Sequence, residues 1–259
     1  MKVHQLYTES ALRNFTYILA FNDKTAFVID PWSELQVNDF LDKNKLSLTT
    51  IINTHEHWDH TQGNNALIEQ HNCEVWAHEN GKGKIPGLSR LLKADEIIQL
   101  DHITSMQVMN TPGHSKAHLC FVISIESSIT AIFTGDILFN AGVGNCYNGG
   151  DVEDLYETIS SKFVNLPDNT IVYPGHEYLK NNLEFTLNRE PNNVDAKTWL
   201  KKYHESDVSN KPLTTTMADE REINSFLRLE SDEIIKNLPV KVNDSKGVFI
   251  TLRALRDKW

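Results

Sequence analysis

Short apolar runs dominate the first two thirds of the chain, and polar or turn-forming residues separate them. The runs are rich in β-branched and aromatic residues, and Asp, Asn, Gly or Pro bounds them, which is typical of β-strands. This pattern predicts strands at residues 15–21, 25–30, 49–54, 74–78, 105–111, 118–124, 130–135 and 170–175. Helices are predicted between these strands, at residues 33–44, 61–71 and 151–162. Asp151 is expected to cap the third of them.

The pattern changes after Pro174, where apolar residues recur at helical spacing. Three such segments follow: residues 181–190, 194–206 and 216–231. Thr216 followed by Asp219 indicates a capping box at the start of the third segment. We therefore predict a sheet-based domain at residues 1–175 and a smaller, mainly helical domain at residues 176–259. The expected fold class is α/β, in the broad sense that includes α+β.

The composition is that of an ordinary globular protein, with 259 residues, 40% hydrophobic and 23% charged. The formal net charge of −10 argues against nonspecific nucleic-acid binding, which requires Lys and Arg to neutralise phosphates. No apolar run approaches the roughly 18–20 residues that span a bilayer, and the N-terminal residues lack the apolar segment of a signal peptide. Cys73, Cys120 and Cys146 show no CxxC spacing, which favours reduced thiols. We therefore expect a cytoplasmic protein without nucleic-acid or membrane partners.

The segment THEHWDH, at residues 54–60, crowds three histidines and an aspartate into six positions. In a helix, His57 and His60 would be neighbours, but His55 would lie on another face. The segment also misses the HExxH pattern of zinc proteases, because Asp59 stands where that pattern has its second His. In an extended chain, the side chains of His55 and His57 point to the same side. Asp59 and His60 can then turn toward a second point nearby. This spacing predicts a metal site.

Three later loops have the same organisation, because each follows an apolar run and ends in a residue that can bind a metal. TPGH ends in His114, TGD in Asp136 and PGH in His176. The four loops supply five His and two Asp, more than one tetrahedral site uses, whereas two metal ions bridged by a carboxylate would use them all. Zinc is the first expectation, with iron or manganese as alternatives. Glu56 is expected to be a spacer, and the remaining histidines, His118 among them, are assigned structural roles.

The motifs TxHxHWDH, TPGH, FTGD and PGHEY resemble those of the metallo-β-lactamase superfamily. The Trp58 variant of the first motif and the helical C-terminal part resemble glyoxalase II, the family of hydroxyacylglutathione hydrolases. This resemblance implies an αββα sandwich with the site at one edge of the paired sheets. It also implies a ligand set: His55, His57 and His114 for one metal ion, Asp59, His60 and His176 for the other, and Asp136 with a hydroxide as the bridge.

The resemblance implies a reaction as well. The expected substrate is an S-(2-hydroxyacyl)glutathione such as S-lactoylglutathione, which is hydrolysed to glutathione and D-lactate during methylglyoxal detoxification. The bridging hydroxide is expected to attack the thioester carbonyl, with Asp59 and Asp136 as the catalytic carboxylates that hold the ions. The leaving thiol has a pKa of about 8.5, so a strong general acid is not required. We expect a monomer with a small-molecule substrate.

A glutathione site is also implied by the resemblance. Arg256 and Lys258, in the terminal LRALRDKW, match basic groups of the family, and Tyr147 and Tyr178 match tyrosines that contact glutathione. Asn145, in the segment GVGNCYNGG, stands where the family usually has Arg or Lys, and its amide can hydrogen-bond but lacks the charge. A lactonase, another thioesterase and a persulfide dioxygenase with a single iron therefore remain as alternatives.

Overall fold

The computed structural model describes residues 1–21 and 24–259, and in this part of the chain two six-stranded sheets pack face to face. The first sheet has its strands in chain order: β1 (Lys2–Tyr7), β2 (Phe15–Phe21), β3 (Thr25–Ile29), β4 (Ser47–Ile52), β5 (Glu74–His78) and β6 (Leu88–Leu92). Strands β1 to β3 pair antiparallel, and strands β3 to β6 pair parallel.

The later strands form the second sheet and a small hairpin. They are β7 (Ile97–Gln99), β8 (Thr104–Asn110), β9 (Leu119–Ile125), β10 (Ser128–Gly135), β11 (Leu138–Phe139), β12 (Gly142–Val143), β13 (Ile171–Pro174) and β14 (Thr215–Thr216). The spatial order in the sheet is β14, β13, β10, β9, β8, β7, and β11 pairs with β12 in the hairpin. Strands β10 and β13 run parallel, so the loops that follow them lie at the same edge of the sheet.

The layer between the two sheets is apolar because alternate residues of the facing strands point into it. Tyr17 of β2 packs edge-on against Phe133 of β10, with ring centroids 5.1 Å apart. Both side chains are buried together with Phe121 of β9. Burial of each such side chain contributes about 1.5–3 kcal/mol. This packing fixes the two sheets against each other and aligns the ends of their strands.

Helices cover the outer faces of both sheets. They are α1 (Glu34–Asn44), α2 (Trp58–Thr61), α3 (Asn64–His71), α4 (Val152–Thr158), α5 (Leu179–Arg189), α6 (Val194–His204), α7 (Met217–Ile223), α8 (Asp232–Lys236) and α9 (Ser245–Arg256). Val37 and Leu41 of α1 are buried in one cluster with Val28 of the first sheet, and Leu155 of α4 is buried with Val122 of the second. The predicted αββα order is therefore confirmed.

Polar residues start the helices at predicted positions. Asp151 accepts hydrogen bonds from two backbone N–H groups of α4, and Thr216 forms the reciprocal capping box with Asp219 at the start of α7. The helix predicted at 151–162 ends earlier, and a π-helical turn at Ile159–Phe163 continues it. The helix predicted at 61–71 is split into two. Helix α2 ends at Thr61, and α3 begins at Asn64 after a two-residue link.

Several strands escaped prediction because they lie at sheet edges or are very short. Strand β1 (KVHQLY) is the edge of the first sheet and mixes polar with apolar residues, so it lacks a clear alternation. Strand β6 (LSRLL) is the other edge of that sheet, and β7 has only three residues. Edge strands bury one side only and carry polar residues, which weakens the pattern that identifies strands.

The C-terminal helices share a core with the second sheet. Phe249 and Leu252 of α9 are buried in the same cluster as Leu155 of α4. Strand β14 also extends the sheet by pairing with β13. Helices α5, α6 and α7 enclose a smaller cluster of their own, which contains Leu183 and Ala196. The domain division between residues 175 and 176 stays a prediction.

Four of the strands, one in the first sheet and three in the second, end at the same edge of the sandwich. Strands β4, β8, β10 and β13 precede THEHWDH, TPGH, TGD and PGH respectively, so the fold brings all four loops together. Parallel neighbours leave their carboxyl ends at one edge, and this is where rigid scaffolds place functional side chains. Within residues 1–21 and 24–259, no helix combines the length and the apolar character that a bilayer crossing requires.

Candidate metal centre

The THEHWDH segment changes conformation in its middle. His57 has an extended backbone, with φ −65° and ψ 144°, and α2 begins at the next residue. His55 lies in the bend at residues 54–56, just before the extended His57, and the two rings are adjacent, with His55 Nε2 3.0 Å from His57 Nδ1. Asp59 and His60 lie in the first turn of α2 and reach a different point. One short segment thus contributes to two neighbouring groups of ligand atoms.

The first group consists of His55, His57 and His114. Nε2 of His114 lies 2.9 Å from Nδ1 of His57. All three ligand nitrogens lie within 4.8 Å of one another, a spacing at which they could hold one metal ion. His55 and His114 are buried, and His57 is partly exposed.

The second group consists of Asp59, His60 and His176. Nε2 of His176 lies 3.3 Å from Nε2 of His60 and 3.4 Å from Oδ2 of Asp59. These ligand atoms also lie within 4.8 Å of one another, and all three side chains are buried. The group offers two imidazole nitrogens and a carboxylate, a donor set that divalent zinc, iron or manganese accepts.

Asp136 lies between the two groups. Its Oδ2 is 3.4 Å from Nε2 of His114 in the first group and 3.2 Å from Nε2 of His176 in the second. Its Oδ1 is 3.4 Å from Nε2 of His60, yet among the described residues this buried oxygen has no hydrogen-bond partner. Gly175 makes room for the carboxylate, because a Cβ at that position would lie 2.3 Å from Oδ1. Glycine is therefore required at position 175, so that the PGH loop can pack against the Asp136 carboxylate.

Each of the five imidazoles forms a hydrogen bond through its outward nitrogen. The outward pairs are His55 Nδ1 with Thr54 Oγ1 at 2.9 Å, His57 Nε2 with Asn148 O at 3.0 Å, His60 Nδ1 with Asp30 Oδ2 at 2.9 Å, His114 Nδ1 with Asn145 O at 2.6 Å, and His176 Nδ1 with Leu12 O at 2.8 Å. Such contacts fix the ring orientation and place the proton on the outward nitrogen, which leaves the inward nitrogen as a ligand.

Burial and neighbouring charges set the protonation of the centre. Burial lowers the pKa of both His55 and His114, which favours the neutral form that binds metals. Burial alone would raise the pKa of Asp136, but the nearby His176, His60 and His114 hold it well below its usual range. Asp136 is therefore a carboxylate, and the centre offers negative charge for a cation.

Two residues near the centre were not assigned from the sequence. Asp30 accepts hydrogen bonds from the backbone N–H and hydroxyl of Thr54 and from Nδ1 of His60. Asn14 donates to Oδ2 of Asp59 at 2.9 Å. Asp30 ends an apolar run, VID, just as Asp136 ends FTGD, so the pattern that identified the four loops also applies to it. Asn14 has no comparable sequence signal.

His118 is also part of the surroundings of the centre. It was assigned a structural role, and it lies buried behind the ligands, where its Nε2 accepts a hydrogen bond from the backbone N–H of Asp136 at 3.1 Å. Its Nδ1 lies 2.9 Å from the hydroxyl of Thr111. Burial lowers the pKa of His118 well below its usual value, so the ring is neutral and can accept the hydrogen bond.

Glu56 points away from both groups of ligands. Its Oε2 accepts a hydrogen bond from Ser115 Oγ at 2.8 Å, and its Oε1 lies 3.2 Å from Nζ of Lys84. These contacts join the THEHWDH loop to Ser115, which follows TPGH, and to the exposed Lys84. The geometry agrees with the expectation that Glu56 is a spacer.

A cavity of about 240 Å³ contains three of the five predicted substrate residues. Asn145, Tyr178 and Arg256 line it, together with Arg253, which the sequence did not assign. The cavity adjoins the metal centre, because the ring of Tyr178 stacks on His176 with centroids 4.9 Å apart. The backbone carbonyl of Asn145 also accepts the hydrogen bond from Nδ1 of His114.

The other two predicted substrate residues lie outside this cavity. Tyr147 is 68% exposed and lines a separate depression beside Asp257. Lys258 is exposed beyond the end of α9. Arg253 is buried and donates to the carbonyls of Val143 and Gly144, at 2.7 and 3.1 Å, so part of its role is to hold the β11–β12 hairpin.

Comparison with known proteins covers the whole chain. Residues 11–176 match the model of the metallo-β-lactamase superfamily, and residues 177–259 match the model described as the hydroxyacylglutathione hydrolase C-terminus. Proteins named hydroxyacylglutathione hydrolase from Nitrosococcus oceani and a Polaromonas species are 42% and 40% identical, with 100% of both chains covered in each case. The crystal structure of ETHE1 from Myxococcus xanthus has a similar fold, with a TM-score of 0.66, 24% identity, and coverage of 99% of this chain and 98% of that one.

Proposed function

Because the chain belongs to the hydroxyacylglutathione hydrolases of the metallo-β-lactamase superfamily, we propose that it cleaves the thioester of an S-(2-hydroxyacyl)glutathione. S-Lactoylglutathione is the proposed substrate, and glutathione and D-lactate are the products. The observation that supports this most directly is the cavity of Asn145, Tyr178 and Arg256, which adjoins the metal centre. A thioester bound there would have its glutathione part in the cavity and its carbonyl at the centre.

The residues present fit two divalent cations. Five imidazoles have their outward nitrogens hydrogen-bonded, so that five nitrogens face inward with two carboxylates. The buried Oδ1 of Asp136 has no hydrogen-bond partner among the described residues, as expected for an oxygen that binds a cation. His55, His57 and His114 would hold one ion, and Asp59, His60 and His176 the other. Asp136 would serve both. Zinc is proposed first, with iron or manganese as alternatives.

Two such cations would supply an ionised water near neutral pH and would polarise a thioester carbonyl. The chain's own residues set the charge of the centre. Asp136 and Asp59 keep their charge, because neighbouring imidazoles lower the pKa of each carboxyl against the opposing effect of burial. The thiol of glutathione leaves as a thiolate, since its pKa is about 8.5. No proton donor is therefore needed at the leaving sulfur.

Recognition of glutathione requires local positive charge, because the tripeptide is anionic and the chain has a net charge of −10. Arg256 is the proposed anchor for one of its carboxylates. The protein partner of the guanidinium is the neutral amide of Asn182, so its charge is available to an anion. Tyr178 contributes an aromatic wall, and its hydroxyl is engaged with the carbonyl of Leu12 at 3.0 Å.

The alternatives considered from the sequence are not favoured. A lactonase would not need a cationic cavity, because its substrate is not an anionic glutathione conjugate, and a persulfide dioxygenase with a single iron would leave Asp59 and His60 without a metal ion. This chain also belongs to the hydroxyacylglutathione hydrolases along its full length. The proposal further includes a cytoplasmic, monomeric protein with a role in methylglyoxal detoxification. Partly exposed Cys146 and buried Cys73 and Cys120 are compatible with a reducing compartment.

Steady-state hydrolysis tests the proposal. The purified protein is assayed with S-D-lactoylglutathione, a lactone and a glutathione persulfide under the same conditions. We expect kcat/KM to be highest for the thioester, with equal release of thiol and D-lactate. A higher kcat/KM for the lactone, or oxygen consumption with the persulfide, would contradict it. Chelator-treated protein is the control, and it should lose the activity.

A further inference from the structure

The segment Leu12–Asn14, which precedes β2, contacts two of the three residues in the second group of ligands. It has no β-structure of its own beyond an isolated bridge between Asn14 and His176. The N–H of Phe15 donates to the carbonyl of Gly175 at 2.8 Å, and the N–H of Glu177 donates to the carbonyl of Arg13 at 2.9 Å. The segment is therefore fixed by backbone hydrogen bonds against the PGH loop.

Asn14 contacts Asp59 with its side-chain amide. Nδ2 donates to Oδ2 of Asp59 at 2.9 Å and to the backbone carbonyl of the same residue at 3.2 Å. Its Oδ1 accepts a hydrogen bond from the hydroxyl of Ser10 at 2.7 Å. Both Asp59 atoms are acceptors, so only the amide nitrogen can face them, and the orientation of the amide is determined. Asn14 is 1% exposed, so water does not compete for these contacts.

The backbone of the same segment orients His176. The carbonyl of Leu12 accepts a hydrogen bond from Nδ1 of His176 at 2.8 Å, which directs Nε2 into the centre. The same carbonyl accepts a hydrogen bond from the hydroxyl of Tyr178 at 3.0 Å. One carbonyl therefore fixes a metal ligand and a residue of the substrate cavity.

The first group of ligands is oriented by other parts of the chain. The outward nitrogens of His55, His57 and His114 bond to Thr54, Asn148 and Asn145. None of these acceptors belongs to the segment Leu12–Asn14. The segment therefore acts on one of the two groups only.

Arg13 connects the segment to the helical part of the chain. Its guanidinium pairs with Glu177 and donates to the hydroxyl of Tyr203 of α6 at 2.9 Å. The Tyr203 hydroxyl in turn lies 3.2 Å from the Glu177 carboxylate. Arg13 has a φ of 62°, in the left-handed region that a non-glycine residue adopts only when its surroundings require it. These side-chain contacts hold that conformation, and with it the flanking Leu12 and Asn14.

We propose that Asn14 is a positioning residue for the second metal site, and that it sets the affinity of that site independently of the first. The inference rests on the two-cation centre of the proposed function. The amide holds the Asp59 carboxylate in one rotamer, so the carboxylate is oriented before the cation binds. Loss of a partner that orients a metal ligand lowers metal affinity by roughly 10- to 100-fold.

The test is Asn14→Ala, which removes the donor without adding a charge beside Asp59. Metal-free protein is titrated with zinc against a competing chelator, and both equivalents are measured. We expect one of the two equivalents to weaken by roughly 10- to 100-fold and the other to be unchanged. Equal weakening of both equivalents, or no change in either, would overturn the proposal. Asn14→Leu, which is similar in size to Asn but donates no hydrogen bond, should give the same selectivity, so either variant that folds decides the matter.

Two backgrounds identify the affected site. His114→Ala leaves the second group complete, and there Asn14→Ala should lower the remaining zinc affinity by the same factor. His176→Ala leaves the first group complete, and there the substitution should have no effect. The opposite pattern would overturn the assignment. Asn193→Ala is the matched control, because this buried amide caps α6 and its hydrogen bonds are formed with Glu190, Glu222 and Ala196, none of which is a metal ligand. Its removal should lower thermal stability while zinc affinity is unchanged.

The titration also separates this inference from the proposed function. Wild-type protein that binds a single zinc per chain would contradict the two-cation centre itself. Wild-type protein that binds two ions, with Asn14→Ala binding both as tightly, would contradict only the role of Asn14. Metal content of each sample is measured directly, so the result does not depend on activity.

Discussion

Arg256 donates a hydrogen bond from Nη2 to Oδ1 of Asn182 at 3.1 Å, which holds its guanidinium at the wall of the substrate cavity. Because its partner is a neutral amide, the charge can pair with a carboxylate of glutathione. Arg256→Ala should raise KM for S-lactoylglutathione by roughly 10-fold, the loss expected for one hydrogen bond to a charged group, while kcat changes little. Steady-state kinetics measures both constants.

Lys258 provides the matched control for this prediction. It is a cation two residues further along the chain, but it is exposed beyond the end of α9. Lys258→Ala should leave KM within about 2-fold, because an exposed charge contributes little. Equal effects of the two substitutions would mean that the general charge of the C-terminus, and not the cavity, binds the substrate.

Asn145 limits the positive charge of the same cavity. Its contact with His114 is made by the backbone carbonyl, so a change of side chain leaves the metal ligand supported. Asn145→Lys should lower KM for the glutathione thioester several-fold, and the gain should shrink at high ionic strength because salt screens the added charge. Asn145→Gln, which adds length without charge, should leave KM unchanged. A lower KM in the Gln variant would show that charge is not the cause.

Asp136 and Glu56 are both carboxylates near the metal centre, but they should differ strongly in effect. Asp136 lies between the two groups of ligands, so Asp136→Ala should lower kcat by roughly 100-fold or more, at least the loss seen for supporting residues of metal sites. Glu56 bonds to Ser115 and Lys84, so Glu56→Ala should lower kcat by less than about 10-fold. Comparable losses in steady-state assays would contradict the assignment of Asp136.

Glu220 should make stability depend on pH. This fully buried carboxyl of α7 accepts hydrogen bonds from Thr215, Asn224 and the N–H of Ala141, and burial raises its pKa from the usual value near 4.5 to about 7. Between these pH values the folded protein keeps a proton that the unfolded chain has lost. The stabilising contribution of the protonated form is therefore complete below pH 4.5 and is lost as the pH rises through 7.

Urea unfolding of the wild type and of Glu220→Gln measures this contribution as a difference. The free energy of unfolding of the wild type, relative to the variant, should fall between pH 4.5 and 7 and level off above it. The difference removes the titration of other groups, since both proteins share them. A difference that stays constant over this range would show that Glu220 does not titrate there.

The strand-end loops could be predicted from the sequence because each combines a local signal with a chemical one. In each case an apolar run and a short turn lead to a ligand-type residue. These residues are His55, His114, Asp136 and His176, and the fold brings their loops to one edge. The strand pattern predicted a sheet-based domain, and the αββα arrangement was implied by the resemblance of the motifs.

The surroundings of the centre could not be predicted, because they depend on contacts between residues far apart in the chain. Asn14 reaches Asp59 across 45 positions, and the carbonyl of Leu12 reaches His176 across 164. A backbone carbonyl has no sequence signature at all. The hydrogen bond from Arg253 to the carbonyl of Val143 in the β11–β12 hairpin, at a separation of 110 positions, is likewise visible only in the folded chain.

The central claim is that two cations in one centre make this chain a hydroxyacylglutathione thioesterase. Stepwise addition of zinc to metal-free protein, with the rate of S-D-lactoylglutathione hydrolysis measured at each step, tests it most directly. We predict that thioester hydrolysis rises with added zinc and reaches its plateau at two equivalents per chain. A plateau at one equivalent, or no hydrolysis at any zinc content, would contradict the claim.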